Sequence, residues 1–102
     1  MEGVLKSYDE RTLEATATIF SALSDPARLR TLILLAKRDL TVSEVATAEG
    51  EKLTTVSARL QILHAARLIA RRRDGKSIVY SIADDHVLTL VENAIAHARE
   101  TH

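Results

Sequence analysis

Apolar residues recur every three or four positions through the first third of the chain, a spacing typical of amphipathic helices. A first helix is predicted over about residues 9–23 from the series Leu13, Ala17, Phe20 and Leu23. Ser24 or Asp25 can cap a second helix, in which Pro26 takes the first position because its missing N–H costs nothing there. The predicted buried stripe of this second helix consists of Leu29, Leu32, Ile33 and Ala36.

The middle of the chain predicts two further helices joined by a tight turn. Thr41 and Glu44 have the spacing of a capping box, in which each side chain satisfies a free backbone N–H of the other residue. A third helix should therefore begin there and end near Gly50. A fourth helix is predicted over residues 54–68, with a buried face formed by Val56, Leu60 and Leu63. Two helices joined this closely form a helix-turn-helix.

A change in the apolar period from about four to two after Leu68 predicts a β-hairpin. The alternating apolar positions are Ile78, Tyr80 and Ile82. Asp74-Gly75 is a favourable dipeptide for a type I′ turn, so the hairpin should reverse direction at these two residues.

A last helix completes the pattern, and its apolar surface is wider than one stripe. It is capped by Asp84 or Asp85 and covers about residues 85–100. Its apolar positions are Val87, Leu88, Leu90, Val91, Ala94, Ile95 and Ala98. A helix this apolar predicts a partner chain. We therefore predict a mainly α fold with a small β-hairpin, in the order α-α-α-α-β-β-α, that forms a homodimer through its first and last helices.

Length and composition limit the classes of protein. The chain has 102 residues, 46% of them hydrophobic and 27% charged, which is typical of one globular domain over residues 1–102. It has no cysteine, which excludes disulfides, thiolate nucleophiles and sulfur-ligated metals. The longest apolar run has five residues and no leader pattern is seen, so we expect a cytoplasmic protein. An enzyme is disfavoured because the sequence has no glycine-rich phosphate loop and no nucleophile–base pair at a supporting spacing.

The net charge of zero, from 14 basic and 14 acidic residues, conceals an uneven distribution. Residues 1–51 carry a net charge of −3, residues 52–76 carry +6, and residues 77–102 carry −3. The positive block coincides with the fourth helix and the hairpin. A basic run alone is usual on a solvated surface, but its combination with a helix-turn-helix and a hairpin favours double-stranded DNA as the partner. No membrane and no further protein partner are expected.

Small and polar residues on the fourth helix lie opposite its buried face and suit a major groove. Gln61 can bond to adenine, and Thr54 or Ala58 can contact a thymine methyl group. The predicted DNA-binding residues are Thr54, Thr55, Ser57, Ala58, Arg59, Gln61, Arg71, Arg72, Arg73 and Lys76. A dimer would bind an inverted repeat, with half-sites about one helical turn apart or more.

The last helix has candidate metal ligands at both ends, Asp84 and His86 at one and His97 and Glu100 at the other. The two histidines are about 16 Å apart along a helix, whereas donor atoms lie ~2 Å from a bound zinc. One chain therefore cannot close the site. Two copies of the helix paired antiparallel about a two-fold axis would form two equivalent four-ligand sites. Nitrogen and oxygen donors in a tetrahedron favour Zn(II), with Co(II) a close mimic and Ni(II) preferring more ligands.

Several strings resemble the winged-helix repressors of the ArsR/SmtB family. Residues 22–30 (ALSDPARLR) resemble the opening of the family's second helix, and residues 74–81 (DGKSIVYS) resemble its wing. Thr55-Val-Ser57, with Leu60 and Leu63, resembles the recognition helix. The resemblance covers about residues 13–100 and implies a winged helix-turn-helix fold. The chain departs from the family where Lys52 replaces a common Ser and Arg67 a common Gly.

The resemblance also implies a metal sensor. The family carries a metal site on its last helix with the pattern Asp-x-His and His-x-x-Glu or His, which Asp84, His86, His97 and Glu100 match. It implies that the metal-free protein represses and that metal releases it from the operator. The family's cysteine site near the third helix cannot exist in residues 40–45, which excludes thiolate sensing of arsenite, lead or cadmium.

Other interpretations of the same residues remain open. Asp84 can be only a helix cap, Glu100 a solvated helix end, and the two histidines packing groups. The fold would then belong to a repressor that responds to a non-metal signal or to none, or to a dimeric interaction module without salt-dependent DNA binding. His64 and His102 are expected to be bystanders, although His102 could add a ligand.

Overall fold

A computed structural model describes Leu5 and residues 7–100 of the chain. The elements are, in chain order, α1 (Glu10–Leu23), α2 (Pro26–Lys37), β1 (Leu40–Thr41), α3 (Val42–Glu49), α4 (Leu53–Ala65), β2 (Ile69–Asp74), β3 (Ser77–Ile82) and α5 (Asp85–Arg99). The predicted order is confirmed with one addition, since β1 was not predicted and is too short to show a period. None of the helices in the described part has the length and apolarity needed to cross a bilayer.

The helix starts follow from local capping chemistry. Asp25 accepts a hydrogen bond from the Arg28 N–H at 3.0 Å, so Asp25 rather than Ser24 caps α2. At α3 the predicted capping box is complete. The Glu44 N–H donates to Thr41 Oγ1 at 3.2 Å, and the Thr41 N–H donates to Glu44 Oε1 at 2.8 Å. These bonds fix where the helix-turn-helix begins.

One apolar core joins all five helices and the start of the hairpin. Its most buried side chains, each with no more than 1% of its surface exposed, are Leu32, Leu35, Val45, Val56, Leu60, Leu63 and Leu68. The predicted stripe of α2 needs correction, because Leu35 is fully buried whereas Leu29, Ile33 and Ala36 are only half-buried. The reason is that α2 meets α4 and β3 together, so the covered strip is centred on Leu32 and Leu35.

The strands form one antiparallel sheet in the order β1-β3-β2, and β2 and β3 form the wing. Asp74 pairs with Ser77, so the two residues of the turn are Gly75 and Lys76. The predicted type I′ turn at Asp74-Gly75 is therefore wrong. Gly75 has φ +64° and Lys76 does not have positive φ, which fits a type II′ turn with glycine at its first central position.

Helix α4 ends three residues earlier than the predicted residue 68. Leu68 N–H donates to the Leu63 carbonyl and Arg67 N–H to the His64 carbonyl, each at 3.0 Å. This pattern is the Schellman motif, which requires a left-handed residue just after the helix. Arg67 takes that conformation with φ +61°. The motif turns the chain into β2.

A buried polar network connects three helices beneath the recognition surface. Arg59 of α4 is 8% exposed and donates to Glu49 Oε1 at 2.9 Å and to Glu51 Oε2 at 2.8 Å. The same guanidinium donates to Thr31 Oγ1 of α2 at 3.2 Å, and the Thr31 hydroxyl donates to Glu49 at 2.9 Å. The hydrogen bond from Arg59 lowers the pKa of Glu51, and the Glu51 carboxylate raises the pKa of Arg59. The network ties α2, the end of α3 and the turn to α4.

The left-handed Arg67 gives a stability prediction. Arg67→Gly should raise the free energy of unfolding by about 0.5 to 1 kcal/mol, because glycine adopts positive φ without the steric strain of a Cβ atom. Arg67→Ala keeps the Cβ atom, so its stability should stay within about 0.5 kcal/mol of the wild type. Urea denaturation measures both differences. A less stable Arg67→Gly would contradict the assignment of strain to this residue.

The Glu51–Arg59 pair gives a pH prediction. The folded-state pKa of Glu51 lies below its ordinary value of 4.5, so its stabilisation is fully present above that pH and is lost as the pH falls through the folded pKa. The difference in unfolding midpoint between wild type and Glu51→Gln should therefore shrink as the pH falls below 4.5. Glu14→Gln, which removes an exposed carboxylate of α1, is the control. A Glu51→Gln difference that is constant down to acid pH would contradict this coupling.

Candidate functional site

The outward face of α4 carries the residues predicted to enter a major groove. Thr54, Thr55, Ala58 and Gln61 are exposed, and Ser57 is half-buried. Thr54, Ala58 and Gln61 lie opposite the core residues Val56, Leu60 and Leu63, as the helical spacing predicts. Thr55 and Ser57 lie at the two edges of this outward face. The face is therefore small, polar and accessible.

The structure corrects the prediction for Arg59. Its guanidinium points into the protein and is occupied by Glu49, Glu51 and Thr31. A DNA contact would require leaving two carboxylates without their cation, and Glu49 is itself only 7% exposed. Arg59 is therefore part of the scaffold that holds α4.

The start of α4 also faces outward, and its backbone is not capped by a side chain. Lys52 is the N-cap residue with extended backbone, and it makes no side-chain cap hydrogen bond. The first N–H groups of α4 and the positive end of its dipole are thus available to an anion. In a helix-turn-helix this end is where phosphate oxygens of DNA can be bound.

The basic residues of the wing, Arg71, Arg72, Arg73 and Lys76, are all exposed. The register pairs Arg71 with Tyr80, Arg72 with Val79 and Arg73 with Ile78, so successive arginines lie on opposite faces of the sheet.

One wing arginine has a partner that the sequence did not predict. Arg72 Nη1 donates to Asp39 Oδ2 at 2.8 Å, and the two side chains are 56% and 47% exposed. Asp39 immediately precedes β1. No sequence signal linked the two residues, since they are 33 positions apart and meet only through the sheet.

The predicted metal ligands form two separate pairs at the ends of α5. Asp84 caps the helix by accepting from the Val87 N–H at 3.0 Å, and the same Oδ1 atom lies 3.7 Å from His86 Nδ1. At the other end His97 Nδ1 lies 3.1 Å from Glu100 Oε1. His86 is 99% exposed and His97 78% exposed, so both imidazoles can be reached by a second chain.

Neither pair is a complete site within one chain. Over the residues that the structure describes, no three His, Asp or Glu side chains come together in a way that could hold a metal. This agrees with the geometric argument that one copy of α5 is too long to close on one ion. Each end supplies one nitrogen and one oxygen donor. His64 lies in the last turn of α4, and His102 lies outside the described residues.

The first and last helices also leave apolar surface uncovered. Leu13 and Phe20 of α1 are 46% and 59% exposed. An apolar groove of about 210 Å³ between α1, α2 and α5 is lined by Phe20, Leu23, Leu29, Leu90, Val91 and Ala94. Apolar surface of this kind commonly marks a contact with another chain.

Comparison with known proteins gives a consistent group of relatives, although no protein-family model matches the chain. A transcriptional repressor SmtB homolog from Synechocystis is 41% identical over 83% of this chain, which spans 64% of that protein's length, slightly less than two thirds. The transcriptional regulator NmtR of Mycobacterium tuberculosis is 36% identical over 92% of this chain and 78% of its own.

Among solved structures, the homodimeric winged helix-turn-helix DNA-binding domain Mb0332 of Mycobacterium bovis, described as a possible ArsR-family regulator, matches with a TM-score of 0.85. It is 36% identical, and the match covers 94% of both chains. These relatives are described as a transcriptional repressor homolog, a transcriptional regulator and a DNA-binding domain of a possible transcriptional regulator. Together with the fold, the wing and the exposed recognition helix, they show that this chain belongs to the ArsR/SmtB family of winged helix-turn-helix transcriptional regulators.

Proposed function

We propose that this protein is a metal-responsive repressor. It binds an inverted-repeat DNA operator as a metal-free homodimer, and Zn(II) binding between the last helices of the two subunits releases it. The observation that carries the proposal is the placement of two nitrogen–oxygen donor pairs, each incomplete alone, at opposite ends of α5.

The DNA interface combines a recognition face with a basic wing. The exposed polar face of α4 would lie in the major groove, and its uncapped N-terminus would bind a phosphate. The wing would contact the DNA backbone beside this major groove. The residues proposed to contact DNA are Thr54, Thr55, Ser57, Ala58, Gln61, Arg71, Arg73 and Lys76.

The homodimer would use the exposed apolar surface of α1 and α5. Leu13 and Phe20 would be removed from water by the partner, and the groove beside Phe20 would receive an apolar side chain. The homodimeric state of the similar domain Mb0332 supports this arrangement. An antiparallel pairing of the two α5 helices would place the Asp84 end of one beside the His97 end of the other.

The donor set fits Zn(II). Two imidazole nitrogens and two carboxylate oxygens match the preference of zinc for four ligands, and Co(II) accepts the same set. Without metal, Asp84 and Glu100 from opposite chains would repel one another, because each carries a negative charge. A bound dication removes this repulsion and thereby favours the pairing of α5 that completes the site.

Coupling to DNA would follow from the way α4 and α5 are attached to the same core. Val87 and Val91 of α5 are buried in the cluster that also holds Leu60 and Leu63 of α4. A change in how two α5 helices pack therefore moves the two recognition helices relative to one another. The half-site spacing of the operator is fixed, so metal affinity and DNA affinity are linked reciprocally.

Titration of Zn(II) tests the proposed sensor. With fluorescent operator DNA recovered by selection from random duplexes, zinc should weaken the binding of wild-type protein about 5- to 150-fold, the range of a typical allosteric coupling. His97→Ala should retain metal-free DNA binding and lose the response to zinc. Glu92→Ala, an exposed α5 residue outside the donor pairs, should behave like wild type. Equal loss of DNA binding and zinc response in His97→Ala would make His97 a structural residue.

A subunit-mixing experiment tests whether each site takes ligands from two chains. His86→Ala and His97→Ala homodimers should each lose the tetrahedral Co(II) absorption. After subunit exchange between the two variants, each heterodimer regains one intact site, so about a quarter of the wild-type absorption should return. The Asp84 cap is left unchanged in both variants, which protects the helix start. No recovery on mixing would show that the four ligands do not lie across the subunit interface.

A further inference from the structure

The three consecutive arginines of the wing are divided between the two faces of the sheet. Arg71 and Arg73 share a face with Ile69 and Tyr80, which pack toward the helical core at the base of the wing. Arg72 lies on the other face. The run is therefore not one continuous cationic surface.

Arg72 is held on its face by a specific partner. It stands opposite Val79, which in turn pairs with Thr41 of β1, so these three residues form a row across the sheet. Asp39, the residue before β1, accepts a hydrogen bond from Arg72 at 2.8 Å. Val79 is only 8% exposed although it lies outside the main core cluster.

The ion pair connects β2 to the residue before β1, two parts of the chain that are not hydrogen-bonded to each other in the sheet. The strand order is β1-β3-β2, so β1 and β2 are not neighbours. β1 itself holds the wing through two residue pairs only, Leu40 with Tyr80 and Thr41 with Val79. The Asp39–Arg72 pair spans β3 and adds a polar attachment of the wing to the body of the protein, beside the β1 ladder and the apolar contacts at the base of the wing.

We infer that Arg72 is a positioning residue of the wing and that, of the three wing arginines, only Arg71 and Arg73 contact phosphates. The inference rests on the proposed DNA-binding function. A phosphate bound by Arg72 would lie close to the Asp39 carboxylate, because Arg72 donates to Asp39 at 2.8 Å, and the two negative charges would repel one another. When Arg72 stays bonded to Asp39, it instead fixes the angle at which the opposite face of the wing, which carries Arg71 and Arg73, meets the DNA backbone.

A double-mutant cycle on DNA affinity distinguishes the two roles. Asp39→Asn and Arg72→Gln should each weaken operator binding about two- to fivefold, since an exposed ion pair orders its surroundings only weakly. The double variant should be no weaker than either single variant, because both remove the same attachment. None of the three should change the slope of log affinity against log salt concentration.

Matched variants of the neighbouring arginines provide the positive control. Arg71→Gln and Arg73→Gln should each reduce the magnitude of the salt slope by about 0.9, as expected for one lost phosphate contact. The same reduction in Arg72→Gln would overturn the inference. So would stronger binding by Asp39→Asn, because it would show that the carboxylate withholds Arg72 from DNA. Unchanged affinity in both single variants would also overturn it.

A second measurement follows the wing without DNA, so that a failure of the proposed function can be recognised separately. The chain has no cysteine, and spin labels can be placed at Lys76→Cys on the wing and Ser43→Cys on α3. Pulsed electron paramagnetic resonance then gives the distribution of distances between the labels at positions 76 and 43, with labelled chains diluted in unlabelled protein so that only distances within one chain are measured. Asp39→Asn and Arg72→Gln should both broaden this distribution. An unchanged distribution would overturn the positioning role, whereas absence of salt-dependent DNA binding by wild type would overturn the proposed function.

Discussion

The buried guanidinium of Arg59 is the constraint on which the recognition surface depends. It satisfies Glu49 at the end of α3, Glu51 in the turn and Thr31 of α2 at once. A cation in this position requires all of its partners, since an unmatched buried charge costs several kcal/mol. Apolar residues could fill the same space without that requirement, so we interpret the network as one that orients the helices relative to one another. It sets the angle between α3 and α4, and the exposed face of α4 follows from that angle.

Pairing within the chain also changes the meaning of the charge distribution. The block of +6 over residues 52–76 includes Arg59, which is matched internally, and Arg72, which is bound to Asp39. The cationic surface is therefore smaller and more directional than the sequence sum indicates. In the acidic segment over residues 77–102, two carboxylates have no cationic Lys or Arg partner in the described ion pairs and lie beside histidines instead. Asp84 lies beside His86 at one end of α5, and Glu100 lies beside His97 at the other.

Most of the fold was predictable because its signals are local, and the corrections at the candidate DNA interface concern side-chain direction. The capping box at Thr41 and the helical period lie within a few residues, whereas β1 has two residues and depends on β3 for its existence. Arg59 was assigned to DNA by its residue type, although its spacing of three residues from Val56 and four from Leu63 places it on the buried face. Strand alternation separates Arg72 from Arg71 in the same way. In both cases the position of the arginine in the helical or strand repeat was a more reliable signal than its residue type.

The two-fold arrangement of the proposed metal sites has a thermodynamic consequence. In the proposed arrangement each site would take one donor pair from each chain, so an isolated subunit could not bind metal with four ligands. Metal binding would then strengthen dimerisation by the same factor by which dimerisation strengthens metal binding. An inverted-repeat operator would also select a dimer, but through the spacing of its half-sites. Metal and DNA would therefore compete only where they favour different packings of the same two α5 helices, and the contact between these helices, not dimerisation itself, would be the element that switches.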